Sequence, residues 1–226
     1  EANPDHEISK IYLNFAKKIK KIYFIDHNWI LMKMITLVIP AKNEKESLGE
    51  VLKEALHYNV VKEIIVVVDS LEDNSIKIAE EYNCKVIIQK NSGYGSALIE
   101  GFRESTNKYA CIFNADFSMD PKYLQSMIDK TNENDFIFGT RYKNGSSDDD
   151  NFITLFGNKV FSLMSRLLLG IKLTDILYTY VLCDVKKFNT LNFKKKDFRL
   201  CIELPFLVNL NSYSYDEIGM HERKRY

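Results

Sequence analysis

From Ile35 onward, short apolar runs alternate with segments of helical period, and this alternation limits the fold more than any other feature of the chain. Residues 35–39 are rich in β-branched side chains and run into Pro40, which reads as a buried strand. Residues 63–68, 85–88, 109–113 and 136–138 read the same way. Between them, residues 45–58, 74–82, 94–105 and 121–132 place apolar side chains at helical spacing. The last of these opens with Pro121 behind Asp120, a good N-cap. Strands alternating with helices predict an α/β fold: a Rossmann-like, mostly parallel sheet with helices on both faces.

The chain has 226 residues, 46% of them hydrophobic, enough for one domain with a full core. Formal net charge is zero. That excludes whole-protein attraction to nucleic acid. Charge is clustered nonetheless: Lys17, Lys18, Lys20 and Lys21; Lys194, Lys195 and Lys196; Asp148, Asp149 and Asp150; and the stretch from His221 to Arg225. Such runs usually form solvated faces, with partner binding the sharper reading. Four cysteines without CxxC spacing fit neither a zinc finger nor a disulfide scaffold, and a reducing cytoplasm suits them.

Residues 1–33 read as an N-terminal helical extension ahead of a main domain over 34–226. Ile8, Ile11, Tyr12, Phe15, Ile19 and Ile22 recur at helical spacing with lysines between, as a helix packed on the domain or lying on a membrane surface. The first residues are polar and carry no secretory signal, and Met32 or Met34 is a candidate start. Polar residues 143–151 read as a mobile loop. Residues 152–169 form an apolar-rich helix interrupted by Asn158, Lys159 and Arg166. Those groups argue against a membrane span and leave two roles, a bilayer-surface helix or a cover for the sheet.

In open α/β sheets, ligands bind at the carboxyl ends of the strands. Five successive strand ends here carry polar residues or glycine: Pro40-Ala41-Lys42-Asn43-Glu44, Asp69-Ser70, Asn91-Ser92-Gly93-Tyr94-Gly95, Asn114-Ala115-Asp116 and Gly139-Thr140-Arg141-Tyr142. Each has a plain structural use as a cap or a turn; together they point to a site. Asp69 can accept the N–H of a uracil or guanine ring. Gly93 and Gly95 let the backbone approach a ligand, and the helix after them favours an anionic phosphate. Asp116 offers a hard oxygen to Mg²⁺ or Mn²⁺.

These segments resemble glycosyltransferase family 2, the GT-A fold, and within it the group of dolichol-phosphate mannose synthases and bacterial polyprenyl-phosphate glycosyltransferases. Val38-Ile39-Pro40-Ala41-Lys42-Asn43-Glu44 is similar to the family's opening motif. Residues 91–101 resemble its glycine-rich segment, and Gly139 to Tyr142 its Gly-Ser-Arg-Tyr turn. The family's Asp-x-Asp motif reads Asn114-Ala115-Asp116, its paired aspartates reduce to Asp69, and its Ser-Gly-Phe segment reads Tyr178-Thr179-Tyr180. Glu222-Arg223 resembles the Glu-Arg ahead of a Gly-x-Ser-Lys segment absent from this chain, so the acceptor side reads as incomplete.

The resemblance implies a metal-dependent, inverting hexosyltransferase. Its donor is a UDP- or GDP-linked sugar, its acceptor a polyprenyl phosphate, and its place the cytoplasmic face of a membrane. Donor contacts fall on Pro40, Ala41, Asn43, Glu44, Asp69, Gly93, Tyr94, Gly95, Asn114, Ala115 and Asp116, with Mg²⁺ or Mn²⁺ on Asp116 and Asn114. Asp175, Arg141 and Arg223 take catalytic positions, with a helix N-cap as the alternative reading of Asp175. Arg141, Glu203, Arg223 and Arg225 face the acceptor. Transfer to a saccharide hydroxyl and a non-catalytic sugar-nucleotide-binding module are the alternatives. A nucleotidyltransferase would need a glycine-rich loop after the first strand, which Pro40 to Glu44 lacks.

Overall fold

Every apolar run expected to be a strand pairs into one sheet in the computed structural model, which describes Asn14, Phe15, Lys17, Lys18 and residues 34–225. Those first four residues have helical backbone; the rest of the expected extension over 1–33 lies outside the described residues. The chain divides into two compact units, Glu1–Met34 and Ile35–Tyr226.

In the second unit, β1 (Ile35–Pro40), β2 (Val61–Val68), β3 (Lys85–Ile88) and β4 (Tyr109–Ile112) pair in parallel. β5 (Phe136–Thr140) does not join β4 directly. An antiparallel strand, β7 (Val181–Asp184), lies between them, and β8 (Tyr215–Gly219) adds parallel to β5. The order is β3-β2-β1-β4-β7-β5-β8.

Alternation along the strands sends successive side chains to opposite faces, and both faces are covered. Leu37 and Ile39 pack with α1 (Leu48–Ala55), α2 (Ser75–Glu81) and α4 (Leu124–Lys130), the last entered through a 3₁₀ turn at Pro121–Tyr123. Val38 faces the other way, towards α3 (Tyr94–Arg103), α6 (Val185–Thr190) and α7 (Leu200–Leu210). On that second face the fully buried ring of Phe102 stacks on Phe188 at 3.8 Å.

The remaining helix, α5 (Phe152–Leu169), is built inside out. Asn151 caps it through a capping box with Thr154, and Gly170 ends it in the left-handed conformation. Its buried residues are Ser162 and Ser165, whereas Phe152, Ile153, Leu167 and Leu168 are each at least 74% exposed. Its polar groups face the domain: Asn158 donates to Tyr142, Ser162 accepts from the Ile176 N–H, and Arg166 donates to the Leu173 carbonyl. The helix is therefore no cover for the sheet, and by length and composition it suffices to cross a membrane. Asn158 and Arg166, which argue against lipid in the sequence, are spent on the protein.

Residues 143–151 are tied down, in contrast to the mobile loop their polarity predicts. Ser146–Ser147 form β6, paired in parallel with β9 (His221–Glu222). Ser146 Oγ lies 2.7 Å from His221 Nδ1, and the Tyr142 hydroxyl donates to Asp150 at 2.8 Å. Polar composition here serves side-chain pairing as well as solvation.

Phe102→Ala removes a buried ring and its stacking partner's contact. The expected loss is about 3–5 kcal/mol of unfolding free energy, read from urea denaturation followed by circular dichroism.

Candidate active site

A cleft of about 550 Å³ opens along the carboxyl edge of the parallel strands. Of the residues singled out in the sequence, Pro40, Ala41, Glu44, Asp69, Gly93, Tyr94, Asn114, Ala115, Asp116, Arg141 and Arg225 line it. Five anticipated residues do not line it: Asn43, Gly95, Asp175, Glu203 and Arg223. Each has an identifiable structural use.

At the β1–β2 end, Asn43 takes a positive φ of 57° and its N–H donates to Asp73. Asp73 also accepts the Ser75 N–H, and Ser75 Oγ accepts the Glu44 N–H. Asp73, rather than Asn74, thus caps α2 and pins the first cleft loop to the second. Asp69 is left free of capping duty; its carboxylate lies 2.9 Å from Lys42 Nζ, and it is only partly exposed.

Beside it, the two glycines serve packing. A Cβ on Gly93 would come within 2.3 Å of the Lys196 carbonyl oxygen, and one on Gly95 within 2.9 Å of both Asp197 O and Leu200 Cβ. They admit the 196–200 segment rather than only a ligand. The Lys196 carbonyl also accepts the Ser96 N–H, so one of the helix N-terminal donors expected to meet phosphate is already used. Glu203 supports the same segment from behind, accepting the Lys194 and Lys195 N–H groups at 2.9 and 2.8 Å. It anchors that loop and does not line the cleft.

At the centre, Asn114 and Asp116 come after β4. The Tyr94 hydroxyl donates to Asn114 Oδ1 at 3.0 Å and lies 3.2 Å from Thr179 Oγ1. The Tyr94 ring stacks on the exposed Phe198 with centroids 4.5 Å apart. Asp116 Oδ1 accepts both the N–H and the hydroxyl of Ser118. Its Oδ2 faces Arg225 Nε at 3.6 Å, and the same Nε lies 3.1 Å from Asp149.

At the β5 end, Arg141 is buried and carries the densest polar network of the cleft. Its N–H, Nε and Nη2 donate to Asp175, with Nε to Oδ2 at 2.7 Å. Nη1 donates to Glu222 at 3.1 Å and lies 3.6 Å from Asp150. Burial works against this guanidinium, but the Asp175 hydrogen bonds and charge, with Glu222, raise its pKa above the ordinary arginine value. It stays charged and is balanced by its own carboxylates. Asp175 is 1% exposed and spent on Arg141; it positions that arginine instead of reaching the cleft.

Arg223 departs furthest from expectation. Both its η nitrogens donate to Glu54 on α1, Nε donates to the Phe117 carbonyl, and Nη2 also donates to the Met119 carbonyl. It clamps the loop after β4 to α1, while Arg225, two residues on, enters the cleft.

Leu177, Tyr178 and Thr179 line the cleft as well. They precede β7, whose antiparallel course brings its start to the carboxyl edge of its neighbours. A rule that seeks ligand contacts only after each strand overlooks residues that come before one. Asp197 and Phe198 arrive from the loop that the two glycines admit, and Cys201 from the start of α7 behind it.

Asp175→Ala strips a buried guanidinium of its bidentate partner. The expected loss is about 3–5 kcal/mol of stability, measured by chemical denaturation.

Residues 36–191 match the family model described as Glycosyl transferase family 2. The undecaprenyl-phosphate 4-deoxy-4-formamido-L-arabinose transferase of Proteus mirabilis is 28% identical over 121 residues, covering 49% of this chain and 37% of that protein. A dolichol-phosphate mannosyltransferase of Pyrococcus furiosus is 32% identical over 123 residues, covering 49% and 34%. The matched stretch is thus little more than a third of either relative's own length. The solved glucosyl-3-phosphoglycerate synthase of Mycobacterium tuberculosis, in complex with Mn²⁺, UDP and glucosyl-3-phosphoglycerate, shares the fold with a TM-score of 0.66 at 14% identity. That alignment covers 86% of this chain and 71% of that one. The architecture is GT-A. With the family model spanning well over half of the chain, this protein belongs to glycosyl transferase family 2.

Proposed function

We propose that this chain transfers a hexose, with inversion, from a nucleoside diphosphate sugar to a polyprenyl phosphate at a membrane surface. The observation that carries the donor half is the cleft itself. Partly exposed Asp69 stands at its β2 end and Asp116 at its β4 end. Two steps along the strand order, through β1 to β4, separate the base end from the metal-binding end.

The residues present fit a divalent ion. Asp116 Oδ2 receives no hydrogen bond from Ser118 and faces Arg225 Nε at 3.6 Å, a contact an ion would replace, and Asn114 Oδ1 keeps a second lone pair beside the one that accepts from Tyr94. No group of three or more His, Cys, Asp or Glu poised for a metal occurs among the described residues. One carboxylate with donor phosphates and water is a common set for Mg²⁺ or Mn²⁺. When bound there, the ion would neutralise charge growing on the departing nucleotide. The relatives' names support a lipid-phosphate acceptor. A phosphate oxygen is anionic before it attacks, so no general base is required. Of the two cleft arginines, Arg141 is buried among Asp175 and Glu222, whereas the Arg225 side chain, though paired through Nε with Asp149 and Asp116, is 58% exposed and so accessible to a phosphate.

Helix α5 supports the membrane half. An apolar face turned outward along a helix hydrogen-bonded to the domain suits burial in the headgroup region, and the basic residues Lys224 and Arg225 add attraction to anionic lipid.

Asp116→Asn is expected to abolish the divalent-ion dependence of UDP or GDP-sugar binding in calorimetry. Asp69→Ala is expected to weaken nucleotide binding while leaving the melting temperature near that of the wild type. Unchanged metal-dependent affinity in the first, or a large stability loss with normal binding in the second, removes that residue from the donor site.

For the acceptor, the protein is offered UDP-glucose or GDP-mannose with polyprenyl phosphate, the matching polyprenol or a saccharide, read by mass spectrometry. Transfer to the phosphate alone is expected, reduced by Arg225→Ala. Equal transfer to the alcohol, or transfer only to the saccharide, rejects the assignment. Flotation with anionic liposomes should recover the protein at low salt, and Phe152→Ser with Leu168→Ser should lower recovery.

A further inference from the structure

Tyr178 is 5% exposed, and its hydroxyl oxygen has no hydrogen-bond partner among the described residues. It is the one buried side-chain polar atom among them of which this is true. A phenol O–H left unpaired in a protein interior is costly, and native structures keep such groups for a reason. Tyr178 nonetheless lines the cleft.

Its place is held tightly. A Cβ on Gly139 would come within 3.0 Å of the Tyr178 ring, so glycine at the end of β5 makes room for it. The Arg141 guanidinium lies 5.0 Å from the ring centroid on another side. Burial, and after it the charge of Glu222, pushes the phenol well above its ordinary range, so it remains a neutral donor and acceptor.

The surroundings select the ligand chemistry. Asp116 and Glu222 line the same cleft as Tyr178, and the nearby Arg141 is already paired with Asp175 and Glu222. A phosphate would meet an excess of carboxylate here. An uncharged polyol fits better, since its hydroxyls donate to carboxylates and accept from a phenol. Position along the sheet agrees: Asp69 comes after β2, whereas Tyr178 packs on the end of β5, four places along the strand order. At about 4.8 Å per strand, that is roughly 19 Å, too far for both to hold one base.

We propose that the Tyr178 hydroxyl hydrogen-bonds a hydroxyl group of the sugar being transferred, and so helps to set which sugar is accepted. The inference rests on the donor reading above. The oxygen is covered in the free protein, so engagement accompanies a small movement of the cleft wall.

The test is Tyr178→Phe, compared with wild type for UDP and GDP alone and for UDP-glucose and GDP-mannose, by calorimetry. Affinity for the bare nucleotide should stay within about twofold, while affinity for the sugar nucleotide falls about tenfold, as for one lost hydrogen bond. The free variant should also melt higher than free wild type, because it no longer buries an unpaired hydroxyl. A tyrosine that does not meet the sugar would show no such split, whatever its effect on melting. Equal loss for nucleotide and sugar nucleotide, no loss for either, or a lowered melting temperature overturns the proposal. Wild-type protein that binds none of the four ligands overturns the donor reading itself, a result distinct from all of these.

Discussion

The buried Arg141 guanidinium is the interaction on which the active edge depends. It joins four pieces of chain that are far apart in sequence: the end of β5, the Asp175 segment that leads into β7, Glu222 on β9, and Asp150 ahead of α5. Taking these charges out of water is expensive, and only their mutual pairing and hydrogen bonds offset the cost. Once the network forms, β9 is held beside β6, with Ser147 also donating to Glu222. Arg225 then emerges next to Asp116. The same residue therefore shapes the cleft without any need to touch a ligand.

The sheet determines which segments that network can organise. β1, β2 and β4 run in parallel and deliver Pro40, Asp69 and Asp116 to one edge. β7 runs the other way, so its leading residues meet them there. Behind the edge, Gly93 and Gly95 let the 196–200 segment close the wall, bringing Phe198 onto Tyr94. On the outside, α5 turns serine, asparagine and arginine inward and leucine and phenylalanine outward. A helix arranged in that way is suited to an apolar neighbour that the domain does not itself provide.

Much of this was legible in the residues. Short apolar runs rich in β-branched residues, such as residues 64–68, read as buried strands, and their polar successors mark the edge where the cleft opens. The illegible parts share a cause: they depend on contacts between distant segments. Nothing local to Gly95 names Leu200 as its neighbour. Arg223 and Arg225 are both arginines in a charged terminal stretch. Only the direction each takes from the chain sends one to Glu54 and the other to Asp116. The reversal of β7 likewise leaves no mark in Val181-Leu182-Cys183-Asp184, which suits either strand direction.

The central claim is that one edge of the sheet binds a nucleotide, with the β1, β2 and β4 loops as its walls. Amide hydrogen exchange with and without saturating UDP or GDP tests it most directly. Slowed exchange in residues 40–44, 69–75, 91–97 and 114–118, with little change around β8, is the predicted result. Protection confined to other surfaces, or none with either nucleotide, would contradict the account.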